Sequence, residues 1–311
     1  MEFFTQKTQI RFMATRKWWY ALSGVFMAAS FVALWKPGLN YGIDFTGGIA
    51  IEVAFPSAPD LDKVRDAVTR TGFRDAQVQN FGTSRDVMIR LEPRTGVSGT
   101  AIGNQVIDAL KEVDPRVELR RVDVVGPQVG EELRNKGYVA TLFTFLFILA
   151  YIALRFQWKL GVGAILAAMH TPVVILGFFA ATQMTFDLTV LAAVLAVVGY
   201  QINDTVVVFD RARERFPLMR NAKPPEVLDA AINETLSRTV ITSVATMVVV
   251  AALLVLGGET LRGFSTAILI GVVVGTYSSI YIASASALDL GLTASNLMSV
   301  REKRAPVDDL P

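Results

Sequence analysis

Long apolar runs separated by short polar connections make up most of this chain, and residues 37–136 alone break that rhythm. Six runs stand out: Trp18–Trp35, Gly137–Arg155, Leu160–Ala181, Leu188–Phe209, Thr239–Leu256 and Phe264–Leu290. Each is near the roughly 20 residues that a helix needs to cross a bilayer. The pattern therefore predicts six transmembrane helices. The last run is overlong, which predicts either a tilt or an end before its Ser/Ala-rich tail. Pro172 predicts a kink in the third span. The first run is too long for a cleaved signal and lacks a clear small-residue cleavage site after it, so it is expected to be a retained span.

Between the first two spans the pattern becomes globular. Gly42–Phe55 reads as an extended segment closed by Pro56. Asp60–Thr71 reads as a helix, with Leu61, Val64 and Val68 on one face and Gly72 as its stop. Ala76–Phe81 and Asp86–Leu91 alternate like half-buried strands. Thr100–Val113 is helical, with Ile102, Val106, Ile107 and Leu110 on one side. Arg116–Val125 alternates again, with a slip at Arg120–Arg121. The order β-α-β-β-α-β predicts an α+β, ferredoxin-like domain between helices 1 and 2 of a polytopic α-helical membrane protein. The expected divisions are 1–36 (N-terminus and first helix), 37–136 (α+β domain), 137–290 (helices 2–6) and 291–311 (C-terminal tail).

Composition supports the membrane class. The 311 residues are 52% hydrophobic, and the mean hydropathy is +0.43. The absence of cysteine excludes disulfides and thiolate chemistry, and a lone histidine argues against His-rich metal sites. Net charge is only +2, but its placement orients the chain. Lys7, Arg11, Arg16 and Lys17 precede the first span. Arg155 and Lys159 lie between the second and third. Arg211, Arg213, Arg215, Arg220, Lys223 and Arg238 lie between the fourth and fifth. Arg301, Lys303 and Arg304 follow the sixth. The connections at Thr182–Asp187 and Gly257–Arg262 hold only Arg262. Positive-inside bias puts both termini in the cytoplasm and the α+β domain outside, as expected of a multi-pass membrane protein. The basic stretch from Arg211 to Lys223 suits inner-leaflet lipid headgroups and does not imply nucleic acid.

The candidate chemistry lies in the fourth span, where Asn203 and Asp204 interrupt an apolar run. A carboxylate at membrane depth is costly, rare and usually faces a bundle interior or wet cavity, which points to ion or proton handling. Alternatively, Asp204, about 7–8 Å of helix rise before Phe209, lies near enough to the cytoplasmic end to be solvated. Ala192, Ala196, Gly199 and Asn203 share one helical face, a surface on which small residues permit close helix approach. Arg238, at the start of the fifth span, is the natural partner of Asp204, or else an interfacial residue that snorkels. Thr239 and Thr242, with Ser237, Ser243 and Thr246, offer hydroxyls for a water path or for helix packing. His170 is a weaker candidate for the ion path, and alone reads better as a hydrogen-bonded packing residue. Gly271 and Gly275 form a small-xxx-small pair in the sixth span. Gly42, Gly47 and Gly48 mark the junction with the domain, as a hinge or as a tight turn that docks the domain rigidly. No phosphate-cradling loop, nucleophile elbow or zinc-ligand helix is present, so a transport subunit is expected rather than an enzyme.

Four segments together resemble the SecD–SecF family of bacterial protein-export membrane proteins, on its SecF side. They are Tyr41-Gly-Ile-Asp-Phe-Thr-Gly-Gly48, Val125-Gly-Pro-Gln-Val-Gly-Glu-Glu-Leu133, the run Gly199–Glu214 and Asn233-Glu-Thr-Leu-Ser-Arg-Thr-Val-Ile-Thr-Ser243. The resemblance spans nearly the whole chain. It implies half of a resistance-nodulation-division type architecture, paired pseudo-symmetrically with SecD. It implies work with the SecYEG translocon, with YajC and YidC as further neighbours and unfolded preproteins as clients. It also implies use of the proton-motive force to promote late, ATP-independent steps of export, with protons, or alternatively sodium, as coupling ion and no other cofactor. Asp204 and Arg238 match the family positions associated with proton movement. Two departures are Thr171, where an acid often follows the histidine, and Gln201, which replaces a more usual serine. The alternatives are a non-motor scaffold joining translocon, SecD and insertase, and an exporter half for a lipid or small molecule.

Overall fold

A computed structural model describes residues 8–73, 76–92, 99–219 and 221–293. Lys7, Arg220, Arg301, Lys303, Arg304 and the tail beyond Thr293 lie outside the described residues, so their part in the charge pattern rests on sequence alone. After a 3-10 turn at Met13–Thr15, the elements are α1 (Arg16–Trp35), β1 (Asn40–Tyr41), α2 (Ile43–Thr46), β2 (Gly48–Ala54) and α3 (Leu61–Arg70). Then come β3 (Gln77–Phe81), β4 (Thr83–Leu91), α4 (Gly99–Lys111), β5 (Glu118–Val125), α5 (Pro127–Arg155) and α6 (Trp158–Thr182). The chain continues with β6 (Thr185–Phe186), α7 (Leu188–Leu218), α8 (Pro224–Leu256), α9 (Gly258–Tyr277), a π-helical turn at Ser278–Ala283 and α10 (Ser284–Asp289). Two compact units result. One holds residues 40–141 and 185–191, and the other holds the rest.

In the first unit β2, β3, β4 and β5 form a sheet of order β3-β4-β2-β5, every neighbour antiparallel. Read from the other edge, the first strand of the domain lies between its last and its third, the split-βαβ arrangement expected of the β-α-β-β-α-β order. Alternation puts Ile49, Ile51 and Val53 of β2 in one core with Val87 and Ile89 of β4. Val64 and Val68 of α3 and Ile102, Val106 and Leu110 of α4 complete it. Asp60 caps α3 by accepting the Asp62 N–H (3.0 Å). The slip at Arg120–Arg121 is a bulge: Glu52 pairs with Arg121 and Val53 with Leu119, so Arg120 has no partner across the ladder. One reading needs correction. Gly42–Phe55 is not a single extended segment, because the chain coils into α2 before β2 begins. Gly47 and Gly48 permit this with φ of 68° and 132°, values that side-chain-bearing residues rarely adopt. Ile51 is fully buried. Ile51→Ala is expected to weaken this unit by about 2–5 kcal/mol, read as earlier protease cleavage of the domain on heating the full chain.

Among the described residues, six helices are long and apolar enough to cross a membrane. The core of the second unit gathers Phe156, Leu160, Phe209, Leu228 and Ile280, with Met13 from the N-terminal turn. Phe143, Phe147, Val248, Val249, Val255 and Leu256 are exposed, as suits side chains that meet lipid. The helices outrun the apolar segments, since α5 starts at Pro127, α7 continues to Leu218 and α8 starts at Pro224. α6 runs uninterrupted through Pro172. The last span does not end before its Ser/Ala-rich tail, because helical structure continues to Asp289 and Ser278, Ser279 and Ser284 are fully buried. Small side chains let this tail press against α6, where a Cβ on Gly163 would collide with the Ala283 carbonyl.

Candidate functional site

α7 divides sharply into two faces. Val197, Gln201, Asp204, Thr205 and Val208 recur at helical spacing and are buried. Ala192, Ala196, Gly199 and Asn203 recur at the same spacing and are exposed. A Cβ on Gly199 would meet nothing within 4 Å. Adjacent in sequence, Asn203 and Asp204 thus point opposite ways, Asn203 out of this chain and Asp204 into it. α7 continues past Asp210 to Leu218, and Asp204 is only 3% exposed.

Among the described residues the Asp204 Oδ2 atom has no hydrogen-bond partner, and neither amide atom of Gln201 has one, although Gln201 is 1% exposed. The two lie three residues apart on one face, within side-chain reach. The stem of Gln201 sits against Gly275 of α9, where an added Cβ would lie 3.3 Å from the Gln201 Cβ. One turn earlier, Val197 packs on Gly271, 2.5 Å from an added Cβ. Gly271 and Gly275 therefore bring α9 close to α7 within this chain, while the Ala192–Asn203 face is left open.

Arg238 is exposed on α8. It acts on Asp204 through the electrostatic field, and among the described residues no ion pair within 4 Å joins them. Thr239 is buried beside it, whereas the Thr242 hydroxyl donates to its own helix, to the carbonyls of Arg238 and Thr239 (both 3.1 Å). A chain of hydroxyls crosses three helices: Tyr200 of α7 donates to Ser243 of α8 (3.4 Å), which pairs with Thr276 of α9 (2.9 Å). His170 is buried on α6, with Nδ1 2.7 Å from the Ser278 Oγ and Nε2 without a partner. Thr171 bonds to the same Ser278 hydroxyl (3.4 Å). Tyr277 donates to the Trp19 carbonyl (2.7 Å) and bonds Ser23 of α1. The polar groups thus converge on the stretch from Thr276 to Ser284, which holds the π-helical turn. Such turns often occur at functional sites.

The junction glycines lie in the other unit, at close backbone approaches. A Cβ on Gly47 would sit 2.9 Å from the Pro127 Cα, and one on Gly130 2.6 Å from the Gly47 nitrogen. A Cβ on Gly48 would sit 2.9 Å from the Leu91 carbonyl. Gly42 donates its N–H to the Phe186 carbonyl (2.8 Å). β1 pairs with β6 in parallel, Asn40 opposite Thr185 and Tyr41 opposite Phe186. Arg90 reaches into this pair from β4. Burial pushes its guanidinium below the usual arginine range, against the opposing pull of Asp187.

The comparisons with known proteins follow this layout. Residues 105–293 match the family described as protein export membrane protein SecD/SecF, C-terminal. Residues 32–55 match the SecD/SecF GG motif. The chain is 48% identical over 305 residues to the protein translocase subunit SecF of Vibrio alginolyticus, covering 97% of each. It is 38% identical over 299 residues to the SecF of Escherichia coli O157:H7, covering 96% of this chain and 93% of that one. The chain belongs to the SecF family of protein translocase subunits. Among solved structures it resembles SecDF, a translocon-associated membrane protein from Thermus thermophilus, with a TM-score of 0.83 at 34% identity. It also resembles SecDF in a super-membrane-facing form, with a TM-score of 0.68 at 34% identity. It covers 92% of its own length in both matches and 39% of either SecDF chain.

Several SecF residues of this chain have roles that motif reading missed. Glu234 receives both Arg211 and Arg215, the latter at 2.5 Å, and Asp210 receives Arg155 at 2.6 Å. The arginines from 211 to 215 are therefore helical and ion-paired on α7, not a free basic loop. Asn233 embraces the backbone of Ile10, accepting its N–H (3.0 Å) and donating to its carbonyl (2.8 Å). Asp229 accepts the Met13 N–H (2.8 Å). Together they hold the N-terminal turn against α8. The only sequence signal was polar residues spaced one helical turn apart at the start of α8.

Proposed function

We propose that this chain is the ion-coupled SecF half of a SecD–SecF complex, which uses the proton-motive force to promote late, ATP-independent steps of protein export. The single observation that carries the reading is the buried carboxylate of Asp204, with an oxygen left without a partner in the middle of an apolar bundle. Such a group is costly in a membrane, and where one is kept it commonly marks an ion or proton path. Moving one charge through the membrane potential releases about 2.3 kcal/mol per 100 mV. Protonating Asp204 weakens its attraction to Arg238, and α7 then shifts against α8 and α9. Asn203, Thr239, Thr242 and, more weakly, His170 flank the path. Protons are the coupling ion in this reading and sodium is the alternative.

The open face of Ala192, Ala196, Gly199 and Asn203 suits the helix of a SecD partner, since small residues drive close packing in lipid. The basic ends of the spans face the cytoplasm of a bacterial inner membrane and the α+β domain lies outside, where unfolded preprotein leaves the SecYEG translocon. YajC and YidC are further neighbours. The test is preprotein translocation into vesicles holding this chain with SecD and the translocon, with and without an imposed proton gradient. In Asp204→Asn, translocation is expected to fall to the gradient-free level while the complex still assembles. Retained stimulation would move the chain to the scaffold reading.

A further inference from the structure

The GG-motif segment does more than turn the chain. Asp44 of α2 accepts the backbone N–H of Leu188 (3.1 Å), the first residue of α7. A carboxylate from distant sequence thus caps this helix, a favourable place for negative charge. Asp187 caps the same turn through the Val190 N–H (2.9 Å). Arg90 donates from the domain sheet to the Asn40 side chain (2.7 Å) and the Tyr41 carbonyl (3.1 Å) on β1, and to the Thr185 hydroxyl on β6. The rings of Tyr41, Phe45 and Phe186 pack with centroids 5.9–6.2 Å apart. Every one of these groups lies in the same compact unit. α7 leaves that unit unbroken, and Asp204 lies on the same helix about 24 Å from Leu188 by helix rise.

We propose that Asp44 and Arg90 are positioning residues that clasp the α+β domain to the first turn of α7, so that movement of the helix bearing Asp204 reaches the domain without slack. The clasp stays closed through the cycle, and the glycines serve its tight approaches rather than a swing. The inference rests on the ion-coupled reading and adds the route by which the motion leaves the membrane. The start of α5 meets the domain at glycine approaches, Gly130 against Gly47. At α7 the domain grips a helix by side chains.

The absence of cysteine allows a clean test. Asn40 and Thr185 are Cα partners across paired strands, whose spacing of about 4.8 Å falls within disulfide range. The Asn40→Cys, Thr185→Cys double variant, oxidised, is expected to keep gradient-stimulated translocation. Arg90→Leu, alone and with Asp44→Ala, is expected to lower the stimulated part by about tenfold, while SecD still co-purifies and gradient-free translocation persists. Oxidising the cysteine pair in the Arg90→Leu background is expected to restore stimulation, which a merely misfolded domain would not allow. Loss of stimulation in the oxidised pair, reversed by reductant, would overturn the clasp and establish a joint that opens. Full stimulation in the loosened variants would also overturn it, as would oxidation that fails to rescue. Asp204→Asn is run alongside: retained stimulation there refutes the ion-coupled reading itself, whereas its loss there with unaltered clasp variants refutes only this route.

Discussion

Gln201→Leu is expected to make the helical bundle more stable and the translocation machine worse. Gln201 is buried on α7 with both amide atoms unpartnered. An amide buried without hydrogen bonds costs about 1–3 kcal/mol on protein scales. Leucine has a similar volume and no polar atom to strand, and the stem already packs on Gly275. A higher thermal midpoint of the detergent-solubilised complex is therefore expected, in the direction of a gain of about 1–2 kcal/mol. The functional loss has a different cause. An amide carries both a donor and an acceptor. One turn from Asp204, it can serve the carboxyl group in either protonation state, and leucine can serve neither. Gradient-stimulated translocation should drop while gradient-free translocation persists. A lower midpoint would mean that the amide holds the bundle together. Unchanged stimulation would make Gln201 a bystander of the ion path.

Gly177→Val is expected to have the largest effect on folding. A Cβ at this position of α6 would collide with the side chain of Ser30 on α1 and lie 2.5 Å from its Cα. Ser23 and Ser30 are the only buried residues of α1. Most of the remaining surface of this helix is open, so its hold on α6 depends on a few small residues. In lipid no hydrophobic effect draws helices together, and close van der Waals contact has to do so. Valine would push the pair apart and leave the Ser23–Tyr277 bond unmade. A loss of about 2–4 kcal/mol is expected, comparable to other overpacked or emptied contacts, seen as a lower thermal midpoint and faster degradation. Ser30→Gly should recover part of the loss in a Gly177→Ala background, where one methyl needs room. If Gly177→Val left the midpoint unchanged, α1 would have to be held elsewhere.

The sequence alone revealed the spans and the domain because both are local periodic signals. A run of apolar residues near twenty long, or alternation at period two beside period 3.6, needs no knowledge of partners. The bulge at Arg120 was visible for the same reason, as a slip in alternation. Asp204 was visible because a charge in an apolar run contradicts its solvent. The helix ends beyond the apolar segments were not visible. Charged turns such as Arg211–Arg215 look like a loop until Glu234, on another helix, pairs with them. The tail of the last span read as polar, and only its close fit against Gly163 makes serine a core residue there.

Other features belong to tertiary structure outright. Periodicity placed Ala192, Ala196, Gly199 and Asn203 on one face of α7, but nothing local states whether that face looks into the chain or out of it. The outcome depends on where Gly271 and Gly275 let α9 approach. The exposure of Arg238, and its action on Asp204 through the field rather than through a close pair, depends likewise on how α7 and α8 lie together. The pairing of β1 with β6 involves two residues on each side, too few to leave a pattern. Asp44 caps a helix that begins 144 positions later. Local residue pattern is enough to set the solvent that each segment requires: lipid for six spans, water for a mixed domain, and neither for one misplaced acid. Only the folded structure decided which side chains meet, because distant contacts are set by shape and by the few small residues that permit close approach, and neither is encoded in local periodicity.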